Sequence, residues 1–423
     1  MGLLSAIRKR ADERFSPETV NLWCHVVDGA VYMLGIGMVG SGELLPLLVV
    51  TRLGASNAVL GLVTSAVRLS FLAPLLLAHR METVRRKKRM ALVFGLAGRI
   101  SLPLIAFVLL TLAGATPVFC LIVIAGLLLV QSAAMSATSP VWTDLLAETI
   151  PPHRTGRLLG YRQGFSAMIG LFAGPVCALI LTALAFPLSY AVLYVVSFAI
   201  VMVSWLAFAL VDEMPDDVVP RERQPAMHYF RDLVAAVRRD SNYRSLLSHR
   251  VLSSVGVAAF PFFAVVAAVN HGVNEAVLVG SLIVARRLAT IIGTFGGPLL
   301  ADRVGHKRVM QVGAVVVSLG VLVLALLPAG AWYAYLAVIF VRSIGATAKG
   351  VSQGAFTLRV YPRGRRVGYS TLSTVALALT GMVAAPAAGL IMDTLGYQVL
   401  FVACAAATGL ALLPLRRCRV ADA

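Results

Sequence analysis

Eight ionisable side chains interrupt the apolar runs of this 423-residue chain. They are Asp28, Glu43, Arg68, Arg99, Arg286, Arg287, Arg342 and Lys349. An ionised group inside a bilayer costs kilocalories, so each is expected to face a partner, a cavity or a pathway. Six cations against two acids leave a surplus of four positive charges. Water, backbone carbonyls or an anionic ligand must offset that surplus, and an organic anion is the natural occupant of such a cavity.

Two alternatives stay open for most of these residues. Asp28 is the candidate for proton coupling, because a buried carboxyl group can change its protonation when a neighbouring charge moves. A permanent ion pair with Arg99 is the other interpretation. Glu43, near the end of its run, is either a pathway residue or a solvated rim residue. Arg342 and Lys349 are seven residues apart and share a helix face, and two cations on one buried face have no apolar explanation.

Two arginines occupy matching positions in the two halves of the chain. Arg68 and Arg287 each lie seven residues after a glycine, Gly61 and Gly280. Arg286 must point about 100° away from its neighbour on a helix, so one of the adjacent pair is expected to pack or to extend toward the interface.

The surrounding composition predicts a polytopic, all-α membrane protein. Apolar residues make up 59% of the chain, charged residues 13%, and the mean hydropathy is +0.86, which excludes an ordinary soluble domain. A helix needs about 20 apolar residues to cross a bilayer. Twelve runs approach that length, near 22–50, 57–78, 90–112, 117–137, 162–186, 189–211, 248–269, 276–300, 309–327, 332–352, 369–391 and 398–414.

The distribution of Lys and Arg predicts the orientation. With a cytoplasmic N-terminus, 30 of the 37 cations fall in segments on the inner side and one, Arg52, on the outer side. The net charge of +18 is then a consequence of topology, and nucleic-acid binding is not expected. Both termini are predicted to be cytoplasmic, and the chain a monomer in the bacterial inner membrane.

One long hydrophilic segment divides the chain into residues 1–211, a linker of 212–247 and residues 248–423. In the linker Phe230, Leu233, Val234 and Val237 recur at helical spacing, which predicts an amphipathic helix on the cytoplasmic leaflet. A partner-binding helix is the alternative.

Short motifs repeat between the two halves in the same order. GRLLGY begins at Gly156 and GRRVGY at Gly364, each just before a span. Gly170-x3-Gly174-Pro175 is echoed by Gly381-x3-Ala385-Pro386, and PLLLAHR by PLLADR. A parallel repeat predicts two six-helix bundles related by a pseudo-two-fold axis, with the binding site near mid-membrane between them.

With this layout the chain resembles the major facilitator superfamily over about residues 22–414. The loop after the eighth span, ADRVGHKR, is similar to a family signature, with matching residues at Asp302, Arg303, Gly305, Lys307 and Arg308. Pro298 replaces a signature glycine, and in the first half His79 stands where the aspartate is expected. The antiporter Gly-Pro signature is matched only by Gly170, Gly174 and Pro175, which hints at export.

The resemblance also implies where these residues act. Asp28, Glu43, Arg342 and Lys349 fall on spans that line the family's cavity, and Arg68 and Arg287 on spans that flank it. In the outward-open state Asp302 would face the start of the fifth span near Gly160 to Gly164. Arg303, Lys307 and Arg308 would add contacts there. We call this contact of Asp302 with the fifth span the latch. The corresponding contact of the first half with the eleventh span, near Gly368, would be missing or weak, because His79 replaces the aspartate there.

No enzyme, nucleotide or metal motif is recognisable in the sequence, and the five cysteines are scattered without a CxxC pair. The sequence therefore predicts no enzymatic activity and no cofactor. It predicts a secondary active transporter for a small organic solute, coupled to protons and working by alternating access, with antiport and an anionic substrate as its finer expectations. The alternative is a transporter-like sensor or assembly partner.

Overall fold

The computed structural model describes residues 8–10, 12–40, 42–73, 87–213, 235, 240–362 and 366–418. Its helices belong to an all-α polytopic fold. Within the described residues, eleven stretches are long and apolar enough to cross a membrane. The second predicted span is described only as the shorter apolar helix Asn57–Leu72, because the rest of the run 57–78 extends beyond the described residues. His79 and the predicted amphipathic linker residues also lie outside them.

We label the membrane helices α1 to α12 in chain order. The first six are α1 (Pro17–Val39, continued by Leu44–Leu47 and a π-helical turn Leu48–Arg52), α2 (Asn57–Leu69 with a 3₁₀ turn Ser70–Leu72), α3 (Lys87–Leu112), α4 (Pro117–Thr149), α5 (Pro152–Gly170 and Ala173–Ala183) and α6 (Leu188–Ala209). The second six are α7 (Ser241–Gly256 and Phe262–His271, joined through Val257–Ala259), α8 (Glu275–Val304), α9 (His306–Leu326), α10 (Trp332–Val360), α11 (Arg366–Leu395) and α12 (Tyr397–Leu410 and Leu412–Arg417).

The start of α1 and the end of α12 lie at one end of the bundle, which we call the terminal side. The opposite end, where α1 passes into α2, is the distal side. Close helix approaches join the two halves at equivalent points. A Cβ added to Gly174 of α5 would overlap the Gly280 carbonyl of α8, and one added to Gly61 of α2 would meet Ala385 and Pro386 of α11.

The matched arginines pack symmetrically as well. Arg287 of α8 lies against Gly170 of α5, and Arg68 of α2 lies against Gly381 of α11. In both cases the absence of a glycine side chain leaves room for an arginine from the other half. Pro175 is exposed beside the α5 crossing. In these paired contacts, equivalent residues of the two six-helix bundles pack in equivalent ways, as expected for halves related by a pseudo-two-fold axis.

Helices α1 and α7 are both interrupted, and the interruptions meet. Backbone at Gly40 is extended, and α1 resumes only at Leu44. Helix α7 passes through a 3₁₀ turn before Pro261, which cannot continue the α-helical hydrogen bonding. A Cβ on Gly42 would lie 3.0 Å from the ring of Phe260. Irregular backbone is tolerated at this depth because it is packed against protein.

The two halves are joined on the distal side. Glu275, at the start of α8, accepts hydrogen bonds from Arg52 and Tyr190 of the first half. A cluster of buried apolar residues packs next to these contacts, toward the middle of the bundle. It includes Leu44, Leu48 and Phe263. The structure is therefore a distal-closed conformation.

Candidate functional site

A cavity of about 530 Å³ lies among α1, α3, α4, α5 and α6, and Phe71 of α2 and Thr374 of α11 also line it. Ligand sites of small molecules have volumes of a few hundred to a thousand Å³. Its lining comprises Asp28, Tyr32, Met33, Phe71, Ala91, Arg99, Met135, Ser136, Thr138, Ser139, Trp142, Arg162, Trp205, Phe208 and Thr374. Asp28 lies about 16 Å along α1 from Pro17, roughly half the thickness of a bilayer core. Among the described residues no His, Cys, Asp or Glu cluster is placed to hold a metal ion.

Asp28 is held by one hydroxyl and flanked by two guanidinium groups. Its Oδ1 accepts a hydrogen bond from the Ser204 hydroxyl at 2.8 Å. Nη2 of Arg99 lies 4.0 Å from Oδ1, and Nη1 of Arg162 lies 3.8 Å from Oδ2. Direct N–H···O hydrogen bonds are 2.7–3.2 Å long, so both ion pairs are loose. The carboxylate is compensated in charge but is not locked to either arginine.

Arg99 is committed to the protein backbone. Its Nε donates to the Val201 carbonyl at 2.9 Å, its Nη1 to the Gly95 carbonyl at 3.0 Å, and its Nη2 to the Ser204 hydroxyl at 3.0 Å. These bonds tie α3 to α6 beside the cavity. Arg99 therefore supplies a fixed positive charge, and its guanidinium has little freedom to move toward a ligand.

Arg162 is a site residue that the sequence analysis does not single out, because it belongs to the 30 cations that the charge distribution assigns to the inner side. It lies ten residues inside α5, with its guanidinium over the Trp142 ring at 4.3 Å from the centroid. The side chain passes directly over Gly29 of α1, where any Cβ would overlap it. The only signal was its position next to Tyr161, which ends the first copy of the repeated GRLLGY motif.

The cavity contains hydrogen-bond donors without acceptors. The indole N–H of Trp142 and Nη1 of Arg162 are buried and have no hydrogen-bond partner within the described part of the chain. Ser136 and Ser139, one turn apart on α4, line the same cavity with hydroxyl groups that can donate to a ligand. Unpaired buried donors cost free energy until an acceptor meets them. Such a wall is suited to a ligand that carries acceptor oxygens.

The second half contributes cations that stand apart from this cavity. Arg342 is buried, lies over the Phe263 ring at 4.7 Å, and its Nε has no partner in the described chain. Lys349 donates to the Ser253 hydroxyl at 3.0 Å. The two residues are on α10, and neither has an acid within 4.0 Å among the described residues. Neither lines the 530 Å³ cavity.

The remaining predicted pathway residues lie where the halves meet. Glu43, at the interruption of α1, forms an ion pair with Arg286 of α8, whose guanidinium is 3.8 Å from the Phe260 ring centroid. Arg287 donates to the Met33 carbonyl of α1 at 3.3 Å. Arg68 has no hydrogen-bonding or ionic partner among the residues that the structure describes. The adjacent arginines thus both reach α1, at different levels.

The loop between α8 and α9 occupies the terminal side. Gly305 has φ of 87°, in the region that favours glycine, and links the two helices by itself. Asp302, Arg303 and Arg308 are exposed. Lys307 donates to the carbonyls of Arg416 at 3.2 Å and Cys418 at 2.7 Å, so it holds the end of α12. A Cβ added to Gly160 of α5 would meet no atom within 4 Å, so the Asp302 side chain does not lie against this glycine.

Comparisons with known proteins agree with this architecture. A family model of the Major Facilitator Superfamily matches residues 29–285 and 251–422. A variant of the nucleoside transporter NupG superposes with a TM-score of 0.73 at 13% identity, covering 95% of this chain and all of that one. A D-xylose–proton symporter gives 0.72 at 13% identity over 96% and 97%. An inward-facing bacterial homologue of the iron transporter ferroportin gives 0.69 at 15% identity over 95% and 98%. No curated protein sequence matches the chain.

Proposed function

Because the chain belongs to the Major Facilitator Superfamily, we propose that it is a secondary transporter that carries a small organic anion together with protons by alternating access. The observation that carries this proposal is Asp28 on the wall of a mid-membrane cavity, 3.8 Å from Arg162 and 4.0 Å from Arg99. A carboxylate held this loosely can release its arginine partner when it takes up a proton. Proton binding and ligand binding would then be linked through the same pair.

The charge balance supports an anionic substrate. Adding Arg162 to the residues predicted from sequence gives seven membrane-depth cations against two acids. The cations are Arg68, Arg99, Arg162, Arg286, Arg287, Arg342 and Lys349. Glu43 is used by Arg286, and Asp28 is shared by Arg99 and Arg162. The others have no acid within 4.0 Å among the described residues, so an anion would stabilise the pathway and a cation would be repelled.

The proposed orientation places the terminal side in the cytoplasm. Most Lys and Arg residues lie in segments on that side, as expected for loops that stay inside. The distal-closed conformation is then inward-open. In this scheme the chain is a monomer in the bacterial cytoplasmic membrane, and the outward-open state would bring Asp302 to the start of α5.

The sign of the charges favours cotransport. An anion in the cavity stabilises a proton on Asp28, so the two ligands promote each other's binding instead of competing. Antiport, which the partial Gly-Pro signature hints at, requires the opposite linkage. The transport experiment described next distinguishes antiport from cotransport.

The proposal is tested in two steps on the full chain. Thermal stabilisation of the purified protein is screened over small organic anions, cations and neutral compounds, and the stabilising compounds are assayed for transport in proteoliposomes with an imposed pH gradient. We expect anions to stabilise the protein and to accumulate on the alkaline side. Arg162→Gln should abolish accumulation, whereas Arg154→Gln, on the same helix but paired with Glu18 at the surface, should not. Stabilisation by cations only, or binding without any movement, would contradict the proposal, the latter result favouring a sensor.

A further inference from the structure

The donors and aromatic rings of the cavity define its ligand more narrowly than charge alone. We propose that the ligand is a flat aromatic carboxylate that takes the place of Asp28 beside Arg162, and that one proton is bound with each anion. This inference rests on the proposed anion transport and adds the chemical class of the substrate, the residue that receives it and the proton count.

Arg162 is the guanidinium that can change partner. Its Nη1 is 3.8 Å from Asp28 and has no hydrogen-bond partner among the described residues. Arg99, in contrast, spends all three donor nitrogens on Val201, Gly95 and Ser204. A guanidinium presents two parallel N–H groups that match the two oxygens of a carboxylate. Arg162 can therefore bind a substrate carboxylate without breaking a protein hydrogen bond.

The walls around Arg162 favour a flat apolar body attached to that carboxylate. Trp142 lies beneath the guanidinium, and Tyr32, Phe71, Trp205 and Phe208 provide further aromatic lining. The indole N–H of Trp205 already donates to the Leu92 carbonyl at 3.0 Å, so this ring offers mainly its apolar surface. Aromatic rings pack favourably face to edge or offset, with centroids 4.5–7 Å apart. A cavity of about 530 Å³ accommodates a one- or two-ring acid.

The polar atoms of the lining also favour a carboxylate, because most of them are hydrogen-bond donors. The indole N–H of Trp142 and Nη1 of Arg162 are buried and have no hydrogen-bond partner within the described chain, and the hydroxyls of Ser136 and Ser139 in the lining can donate to ligand oxygens. Among the side chains that the structure describes, Asp28 is the only acid that lines the cavity. This part of the lining thus holds two unpartnered N–H donors, two serine hydroxyls and one carboxylate, which is the complement of an acid and not of an amine.

Proton uptake follows from placing a second carboxylate beside Arg162. Two ionised carboxylates close to one arginine repel each other, and one of them is then protonated. Asp28 takes a proton from solvent and releases Arg162, while the ligand stays ionised and forms the new ion pair. The net charge of the site is unchanged. Among the described residues, the other groups near Asp28 are Arg99 from α3, Ser204 from α6, and Tyr32 and Cys24 from α1 itself. The arginines remain charged throughout.

The experiment uses 2-naphthoate and its neutral analogue 2-naphthamide with the purified full chain. Titration calorimetry in buffers of different ionisation enthalpy gives the number of protons taken up per anion. Work above pH about 6 keeps the naphthoate ionised. We expect about one proton per naphthoate, and a Kd that rises up to tenfold per pH unit once free Asp28 is ionised. Naphthamide should bind at least tenfold more weakly than naphthoate at pH 6.

Variants assign the proton and the carboxylate site. Asp28→Asn should bind naphthoate with no proton uptake and no pH dependence. Arg162→Gln should weaken naphthoate at least tenfold and leave naphthamide unchanged; Arg162→Lys keeps the charge but loses the paired N–H groups, so it should be intermediate. Arg154→Gln is the control and should behave as the wild type. Melting curves identify any variant that fails to fold, in which case the lysine variant serves as the test.

Several results would overturn this inference and leave anion transport intact. They are naphthoate binding without proton uptake, equal affinity for naphthoate and naphthamide, and no binding of naphthoate by a protein that accumulates aliphatic anions. If no anion of any kind accumulates in proteoliposomes, the proposed function itself fails. The two failures are therefore distinguishable.

Discussion

Asp393, at the distal end of α11, caps the first turn of α2 at Ala58. Its Oδ2 accepts the Ala58 backbone N–H at 2.8 Å, and its Oδ1 accepts the backbone and side-chain N–H groups of Asn57 at 3.1 and 2.8 Å. A carboxylate at a helix N-terminus also meets the positive end of the helix dipole. Because α2 and α11 belong to different halves, this cap exists only while the distal side is closed.

Removing the cap should shift the conformational equilibrium. A helix-capping side chain contributes about 0.5–2 kcal/mol, which corresponds to a roughly 2- to 30-fold change in a population ratio. Asp393→Ala should therefore increase the distal-open population by that factor. Labelling of single cysteines at the two mouths, in a background without the five native cysteines, measures the shift. Asp240→Ala is the matched control, because Asp240 caps Tyr243 within one half at 2.9 Å. Equal labelling of both variants and the parent would refute the role of the cap.

A methyl group at Gly29 should separate Arg162 from Asp28 without changing any charge. The arginine side chain occupies the space that the new Cβ needs, and it is flexible enough to move away. Hydrogen bonds to charged groups contribute about 1.5–3 kcal/mol, so anion affinity should fall roughly 10- to 100-fold. Binding of the best anion to Gly29→Ala checks this, with Gly164→Ala as a control whose Cβ meets only an ordinary contact with Phe295. Unchanged affinity in both variants would show that Arg162 does not hold the anion.

The latch at Asp302 is expected only in the distal-open state. In the present conformation Asp302 is exposed and does not lie against Gly160 or Gly164 of α5. Asp302→Asn should thus leave this conformation untouched and destabilise the alternative by about 1.5–3 kcal/mol, the value of a hydrogen bond to a charged group. The same cysteine labelling should show fewer distal-open molecules, and His79→Asp should produce the opposite shift. Labelling that does not respond to Asp302→Asn would mean that the loop has no latch function.

Arg342 should contribute to anion passage at a cost in stability. It is buried without an acid within 4.0 Å among the described residues, and unpaired buried charge is destabilising. Because Arg342 and Lys349 do not line the 530 Å³ cavity, their loss should slow transport more than it weakens binding in that cavity. Arg342→Gln should raise the melting temperature of the ligand-free protein and slow transport of the best anion at least tenfold. Lys349→Gln should slow transport to a similar extent with a smaller stability change, because Ser253 already accepts from Lys349. If the best ligand proves cationic, or the transport rate is unaffected, these cations are not part of the substrate pathway.

The sequence predicted the fold well because hydropathy and internal repetition are properties of the chain itself. The spacing of Gly61 and Gly280 ahead of two arginines indicates matching positions in the two halves, and the structure places Arg68 and Arg287 against Gly381 and Gly170. The family model and the structural neighbours confirm the architecture. Hydropathy and repeated motifs can be recognised in the sequence without knowing where any side chain points.

The cavity was harder to predict because it interrupts the apolar signal. The fourth span was predicted to end near residue 137, but α4 continues to Thr149 and carries Trp142 into the cavity wall. The fifth was predicted to begin at residue 162, but α5 starts at Pro152. Polar residues that line an internal cavity lower the local hydropathy as a loop would, so Arg162 was assigned to the surface. The spacing of Arg342 and Lys349 likewise predicts that they share a helix face, but it does not predict which neighbouring helices pack against that face.

The most direct test of proton coupling through Asp28 compares two modes of transport in one variant. In proteoliposomes, Asp28→Asn should lose accumulation driven by a pH gradient, while exchange of labelled for unlabelled anion across the same membrane continues. This result would show that the carboxylate couples the proton without being needed for anion passage. Gradient-driven accumulation that survives intact in Asp28→Asn would contradict it, and would make Asp28 a structural partner of Arg99 and Arg162.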